Sequence, residues 1–256
     1  MVSIVSVSPQ SQVILEKRYL QKNEEGEVEE NPSEMMSRVA SAVASVESSI
    51  EEQNSWEEKF LSILTNFDFL PNSPTLMNAG TGQGTLSACY VVPIEDNMDS
   101  IMTAAYDQAF IEKYGGGVGF PLSNIRPGGT PISTTQGKAC GPMRVLRLLS
   151  EVGNMITQGG KRDGAHMAIM SVYHPDILEF VESKKIEGPI HNFNISVGAD
   201  ANFMNAVKED KYVHLTWPLD KKCYSAQEAF DKSITAITKW VNARDLFRNI
   251  IHGNNR

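Results

Sequence analysis

Residues 69–93 read FLPNSPTLMNAGTGQGTLSACYVVP, and the architecture of the chain turns on this stretch. The Pro71-Asn72-Ser73-Pro74 corner and the Asn78-Ala79-Gly80 step fix unusual backbone geometry. Proline locks φ and removes a donor, whereas glycine opens conformations closed to other residues. A loose Gly-Thr run follows, and residues 86–92 then form a short apolar strand candidate with Cys89 at its centre. The pattern predicts a specific loop-then-strand shape, not a linker. A thiol placed there is either a small buried hydrophobe, the usual fate of an isolated cysteine, or a redox group held on a strand.

Working outward, 256 residues that are 41% hydrophobic can bury a sizeable core, as one large domain or as a domain with a small N-terminal element. The net charge of −8 argues against nucleic acid or an anionic membrane as the main partner. It leaves room for a small anionic ligand held by backbone N–H groups and a few cations. Cys89, Cys140 and Cys223 are odd in number and widely spaced, with no CxxC, so neither a zinc site nor a disulfide scaffold is expected. The N-terminus lacks the basic-then-apolar pattern of a leader and nothing approaches a membrane span, so a reducing cytoplasm is the expected location.

Upstream, residues 1–31 are polar and mixed, and 24–30 read as an exposed acidic turn. Asn31 as N-cap, Pro32 at the first helical position and Glu34 at the third predict a helix with Met36, Val39, Val43 and Val46 as its apolar stripe. A second helix is predicted over about 55–66, with Trp56, Phe60, Ile63 and Leu64 inward. Downstream, Asp96-Asn97 caps a helix over 98–113 that stops at Gly115-Gly116-Gly117, followed by a strand over 118–122. Residues 126–141 have no apolar period and read as a long ordered loop, a feature that in compact domains is usually functional or disordered. A helix from Pro142 leads to a second Gly-rich loop with Gln158, Lys161 and Arg162. Strands over 166–172, 193–197 and 211–217 then alternate with helices from Pro175, over 201–208, from a Ser225/Glu228 capping box and over 243–252. This alternation predicts an α/β architecture.

Taken singly, each chemical candidate has a bland reading: Cys89 as a core residue, the three glycines as a helix stop, Arg126 and the Lys161-Arg162 pair as solvated cations. Together, FLPNSPTLMNAG, LSACYVVP, EDNMDSI, GGGVGF, RPGG, QGGKR and HPDILEF, in this order, resemble the N-terminal half of a ribonucleotide reductase catalytic subunit. PNSPTLMNAG with LSACYVVP is most similar to the adenosylcobalamin-dependent class, class II. The resemblance implies an N-terminal helical region over 1–68, then over 69–256 the first half of a ten-stranded α/β barrel, incomplete at its C-terminus.

The chemistry implied is replacement of a ribonucleotide's 2′-hydroxyl by hydrogen. A thiyl radical removes the 3′-hydrogen, and two thiols supply two electrons and become a disulfide. Cys89 matches the first thiol of that pair, and Ser73, Ala88 and Gly117 match substrate contacts. For a deoxynucleotide effector that sets specificity, Asp96 matches the sugar-binding acid, with Asn97 and Met98 beside it. Arg126 matches a phosphate-binding arginine, Ser133 and Lys138 fall in a first specificity loop, and Gln158, Lys161 and Arg162 in a second, where Asp163 replaces the family's small or basic residue.

The Asn-x-Cys-x-Glu pattern of the radical cysteine is absent from these residues, and neither Cys140 nor Cys223 matches the partner of Cys89. The expectation is therefore a split-gene product or fragment, inactive alone. It would work with a C-terminal reductase chain carrying the radical cysteine, adenosylcobalamin in the complete enzyme, a dithiol reductant such as thioredoxin, and a second copy of itself. The alternatives are a non-catalytic nucleotide-binding regulatory module that keeps the effector site, and a half-barrel that serves as a folding partner.

Overall fold

The structure, a computed structural model, describes residues 5–156, 165–184, 190–233 and 239–253. It divides into two compact units. One holds the described residues up to Tyr90 together with Lys113–Gly117, and the other holds the remaining described residues from Val91 onward.

The first unit is helical: α1 (Pro9–Arg18), α2 (Pro32–Ala44), α3 (Ile50–Thr65) and the single-turn α4 (Ser73–Asn78). The expected cap of α2 forms in full. The Asn31 side chain accepts from the backbone N–H of Ser33 and Glu34, and Glu34 accepts from the Asn31 N–H at 2.8 Å, an arrangement that contributes about 1 kcal/mol. Met35, Met36, Val39 and Ala40 pack with Leu20, Leu64, Leu76 and Ala79 into one core. Val43 is at the margin, and Val46 lies beyond the helix end and is 82% exposed, so the expected stripe is shorter than its sequence pattern.

Helix α3 begins at Ile50, five residues before the expected start, because the Ser49 hydroxyl caps it by accepting from the Glu52 N–H at 3.2 Å. Of its four expected inward residues only Leu64 is fully buried. Trp56 stacks on Phe60 at the surface with the Lys59 ammonium over its ring. Helix α1 was not expected, and the reason is physical: none of its residues is buried, so it has no apolar period to read, and it rests on its Ser8 cap and Pro9.

In the second unit the core is formed by α5 (Met98–Lys113, of which the last residue belongs to the first unit), β2 (Gly117–Pro121), α6 (Pro142–Met155), β3 (His166–Ser171), α7 (Ile177–Glu182), β4 (Phe193–Gly198) and α8 (Ala201–Lys208). With β1 (Cys89–Val91) the strands form a sheet ordered β1-β2-β3-β4, and β2–β3 and β3–β4 are parallel. Phe120, Ala168, Met170 and Phe193 alternate inward and bury against Leu146 and Leu149 of α6. The expected α/β architecture with parallel strands is thus present.

The inner face of α5 is polar in part. Gln108 donates to the Leu149 carbonyl at 2.9 Å, and Glu112 lies 3.0 Å from His166 Nδ1, both side chains being shut from solvent. A second, antiparallel sheet, β6-β5-β7, is made from β5 (Tyr212–Leu215), β6 (Cys223–Tyr224) and β7 (Lys239–Asn242), with α9 (Ala226–Ser233) and α10 (Ala243–Gly253) completing the described elements. Its two outer strands were not expected, since runs of two and four residues carry no measurable period.

Candidate functional site

In the first unit the segment leading to Cys89 is tied down by side chains. The corner read from sequence as Pro-fixed loop is α4, whose first turn forms because Asn72 Oδ1 accepts from the Thr75 N–H at 3.0 Å. From that turn the Thr75 hydroxyl donates to the Leu86 carbonyl at 2.8 Å, and Asn78 Nδ2 donates to the Thr85 carbonyl at 2.8 Å. These bonds take the carbonyls that a longer strand would have used. The strand expected over 86–92 is therefore only the three residues of β1, with Cys89 at its start and not its centre.

Gly84 permits this path: its φ is +81°, and a Cβ there would fall 2.5 Å from Asn78 Cγ. The Gly117 N–H donates to the Ala88 carbonyl at 2.7 Å, so Ala88, Cys89 and Gly117 are brought together. Cys89 itself is exposed. Ser73 is the first residue of α4, and its hydroxyl lies 3.0 Å from that of Tyr19. Helix α4 is held from behind: Arg38 grips Glu30 through two nitrogens, at 2.7 and 2.9 Å, and donates to the carbonyls of Ala79 and Leu76. Gln21 donates to the Met77 carbonyl at 3.1 Å.

The second unit holds the other candidates. Asp96 and Arg126 meet directly: the Arg126 N–H donates to Asp96 Oδ1 at 3.0 Å, and its guanidinium pairs with Oδ2. Asn97 is committed to capping α5, its Oδ1 accepting from the Ser100 N–H at 2.8 Å, while Met98 at the first helical position is 70% exposed. Ser133 and Lys138 are exposed on the 126–141 loop, which folds on itself through Gly129 N–H to Ala139 O, Ala139 N–H to Thr130 O and Ile132 N–H to Gly137 O, at 2.8–2.9 Å.

A hollow of about 510 Å³ beside it is lined by Lys138, Cys140, Arg144 and Arg147 together with Asp176 and Glu179. Gln158, Lys161 and Arg162 lie outside the described residues. Cys140 is exposed, and Cys223 sits 3.8 Å from the Tyr173 hydroxyl, where burial pushes its thiol pKa up. Burial, and then the bond to Asp200, likewise push the Tyr173 phenol up.

Sequence reading missed Tyr19, Arg38 and Gln21, which act across 38–56 residues of sequence, and it assigned no role to His174 and Asp176 although it singled out HPDILEF. Only a pattern linking those distant positions could have revealed them.

A helical first segment followed by parallel strands with helices between them defines a chain with an all-helical region and an α/β region. The ribonucleotide reductase all-alpha domain matches residues 5–84 and the ribonucleotide reductase barrel domain matches 87–254. The chain belongs to the ribonucleotide reductase family.

It is 41% identical, over 85% of its length, to the vitamin B12-dependent ribonucleoside-diphosphate reductase of Mycobacterium tuberculosis (strain CDC 1551 / Oshkosh), of which it covers 32%. To the vitamin B12-dependent ribonucleoside-diphosphate reductase of Thermoplasma acidophilum it is 37% identical over 98% of its length and 32% of that protein. With the ribonucleoside-diphosphate reductase subunit alpha of Helicobacter pylori (strain J99) it shares 28% identity over 91% of its length and 31% of that protein. The chain therefore spans about a third of the length of the curated relatives it matches. Among the described residues no helix is long and apolar enough to cross a membrane.

Proposed function

We propose that this chain supplies the substrate floor and the effector loops of an adenosylcobalamin-dependent ribonucleoside-diphosphate reductase, working in the cytoplasm. The observation that carries the reading is the Ala88–Gly117 bond. It fixes an exposed Cys89 at the start of a strand beside a buried glycine, where a sugar can lie against backbone.

In this reading Cys89 is one of two thiols that together give two electrons and two protons. The 2′-hydroxyl leaves as water, the pair becomes a disulfide, and an external dithiol such as thioredoxin resets it. Ser73 and the Ala88–Cys89 backbone hold the nucleotide, and Gly117 leaves it room. A hydroxyl has one donor and two acceptor positions, so Ser73 keeps capacity for a substrate oxygen while bonded to Tyr19. The rigid tie of α4 to 85–86 suits a reaction in which small errors of position are costly. The second thiol and the radical cysteine come from polypeptide outside these 256 residues, which we assign to a C-terminal reductase segment.

Adenosylcobalamin would supply the radical that generates the thiyl group. Among the described residues no group of three His, Cys, Asp or Glu side chains could hold a metal ion. The cofactor is assigned to the complete enzyme on the likeness to the vitamin B12-dependent relatives.

On the other unit, Asp96, Asn97 and Met98 take the deoxynucleotide effector's sugar side, Arg126, Ser133 and Lys138 its phosphates, and Gln158, Lys161 and Arg162 relay its identity. Effector phosphate would compete with Asp96 for Arg126, which makes the Asp96–Arg126 pair a state that binding must rearrange. Met98, Met102, Tyr106 and Phe110 form an exposed apolar stripe along α5, with Tyr106 and Phe110 rings 4.6 Å apart, a face suited to a second copy of the chain. The division into a helical 1–68 and a barrel 69–256 goes with this reading.

The test mixes the chain with a segment bearing the Asn-x-Cys-x-Glu cysteine, adenosylcobalamin, a ribonucleoside diphosphate and a dithiol. Deoxynucleotide should form with wild type and fall to background with Cys89→Ser. Absence of product at every mixing ratio, or full multiple-turnover activity in Cys89→Ser, would overturn the proposal.

A further inference from the structure

We propose that His174 and Asp176 are positioning residues that latch the neck of the 126–141 loop, fixing where Arg126 sits and so how sharply the loop discriminates among deoxynucleotide effectors; this rests on the effector reading above. The arms of the loop are zipped by their own backbone bonds, but those bonds alone would leave a hairpin free to swing about its base. The base is where the latch acts.

At the neck, the Gly128 N–H donates to Asp176 Oδ2 at 2.9 Å, across 48 residues of sequence. Gly141, the other end of the loop, has φ +76°, and a Cβ there would lie 2.6 Å from Gly128 N and 3.1 Å from Asp176 Oδ2. The two ends of the loop and the Asp176 carboxylate therefore meet at one point, which only glycine at 141 allows.

One residue before Arg126, the Ile125 carbonyl lies 2.9 Å from His174 Nε2. The other ring nitrogen, Nδ1, accepts from the Asp176 N–H at 3.0 Å and so carries no proton. The ring must then be neutral with its proton on Nε2, donating to Ile125. His174 is fully buried, and burial pushes its pKa below the ordinary histidine value, favouring the neutral form that this arrangement requires. Arg126 is thus held from one side by its pair with Asp96 and from the other through Ile125, by a turn that joins β3 to α7.

A merely structural role would change stability alone. A latch changes the loop's conformational freedom and the effector ratio, and an isosteric acceptor should restore both. The experiment uses the full chain and compares wild type with Asp176→Ala, which removes the acceptor, and Asp176→Asn, which keeps an oxygen. Asp176 is only half-buried, and Asp176→Ser, whose hydroxyl is too short to reach Gly128, replaces the alanine variant should that one fail to fold.

Two readouts are taken: amide hydrogen exchange over 126–141, and dissociation constants for dTTP, dATP and dGTP. Expected for Asp176→Ala is roughly tenfold faster exchange at Gly128 and its neighbours, as loss of one hydrogen bond implies, with the three dissociation constants drawn together and both effects reversed in Asp176→Asn. Wild-type exchange in Asp176→Ala would overturn the latch. Faster exchange with an unchanged ratio of dissociation constants would overturn its role in discrimination. Should wild type bind none of the three nucleotides, the effector reading itself falls and the discrimination proposal with it, whereas the exchange comparison still decides the latch.

Discussion

Segments 73–88 and 126–141 are both rich in glycine, proline and hydroxyls, yet they are held in opposite ways. In the first, Thr75 and Asn78 reach from α4 to the carbonyls of Leu86 and Thr85, and Arg38 reaches from α2 to those of Leu76 and Ala79. In the second, the arms bond to each other and the body of the unit ties the loop at its neck, through Asp96, Asp176 and His174. Ties spread along a segment make it rigid throughout, whereas ties at a neck leave the exposed tip, with Ser133 and Lys138, able to respond to a ligand. Under the proposed function, the first design suits a substrate floor and the second a sensor.

The largest expected effect comes from breaking the ties of the first segment at Arg38. Its side chain and that of Glu30 are 15% and 8% exposed, so Arg38→Ala strands a nearly buried carboxylate and two carbonyls. We expect a loss of about 3–5 kcal/mol, the cost typical of halving a buried ion pair, seen in denaturant unfolding of the first unit. A loss no greater than that of a surface pair, about 1 kcal/mol or less, would show that α4 stands without these ties and would dissolve the contrast.

A smaller and more local effect is expected at Gly84. Gly84→Ala forces a side chain into φ +81° and against Asn78, which must release the Thr85 carbonyl. The left-handed backbone costs about 1–2 kcal/mol and the lost hydrogen bond about 1 more. Faster amide exchange at Leu86–Ala88 with little change in 126–141 would sharpen the comparison; equal change in both would break it.

The same contrast explains what could be read in advance. Helix α6 and strands β2–β4 were legible because Leu146, Leu149, Ala168 and Phe193 are buried at the spacing their elements impose. Caps at Asn31 and Ser225 were legible because their chemistry is local: Ser225 and Glu228 bond within one turn. The length of β1 was not legible, since Thr75 and Asn78 decide it from eleven and seven residues away. Site residues were named through motifs alone. Tyr19 opposite Ser73, and the His174–Asp176 neck, depend on contacts that no local pattern encodes.

The smallest expected effect lies on the second segment and arises from pH. Burial lowers the His174 pKa, offset in part by the Ile125 carbonyl and the Asp176 charge, so the folded chain binds this proton less readily than the unfolded chain. Above the ordinary histidine value of about 6.5 both states are neutral and stability is unaffected. As pH falls below that value the unfolded state takes up the proton first, and stability declines until the folded pKa is passed. Protonation also places an N–H on Nδ1 facing the Asp176 N–H, opposing the latch before the fold as a whole yields. Ring carbon and nitrogen shifts of His174 followed by NMR from pH 8 to 5 should show a neutral Nε2–H tautomer that resists protonation, with exchange over 126–141 rising at the acid end. A ring that titrates near 6.5, or whose proton is shared between both nitrogens, would mean that the neck is not closed in solution, and the two segments would then differ in sequence but not in how firmly they are anchored.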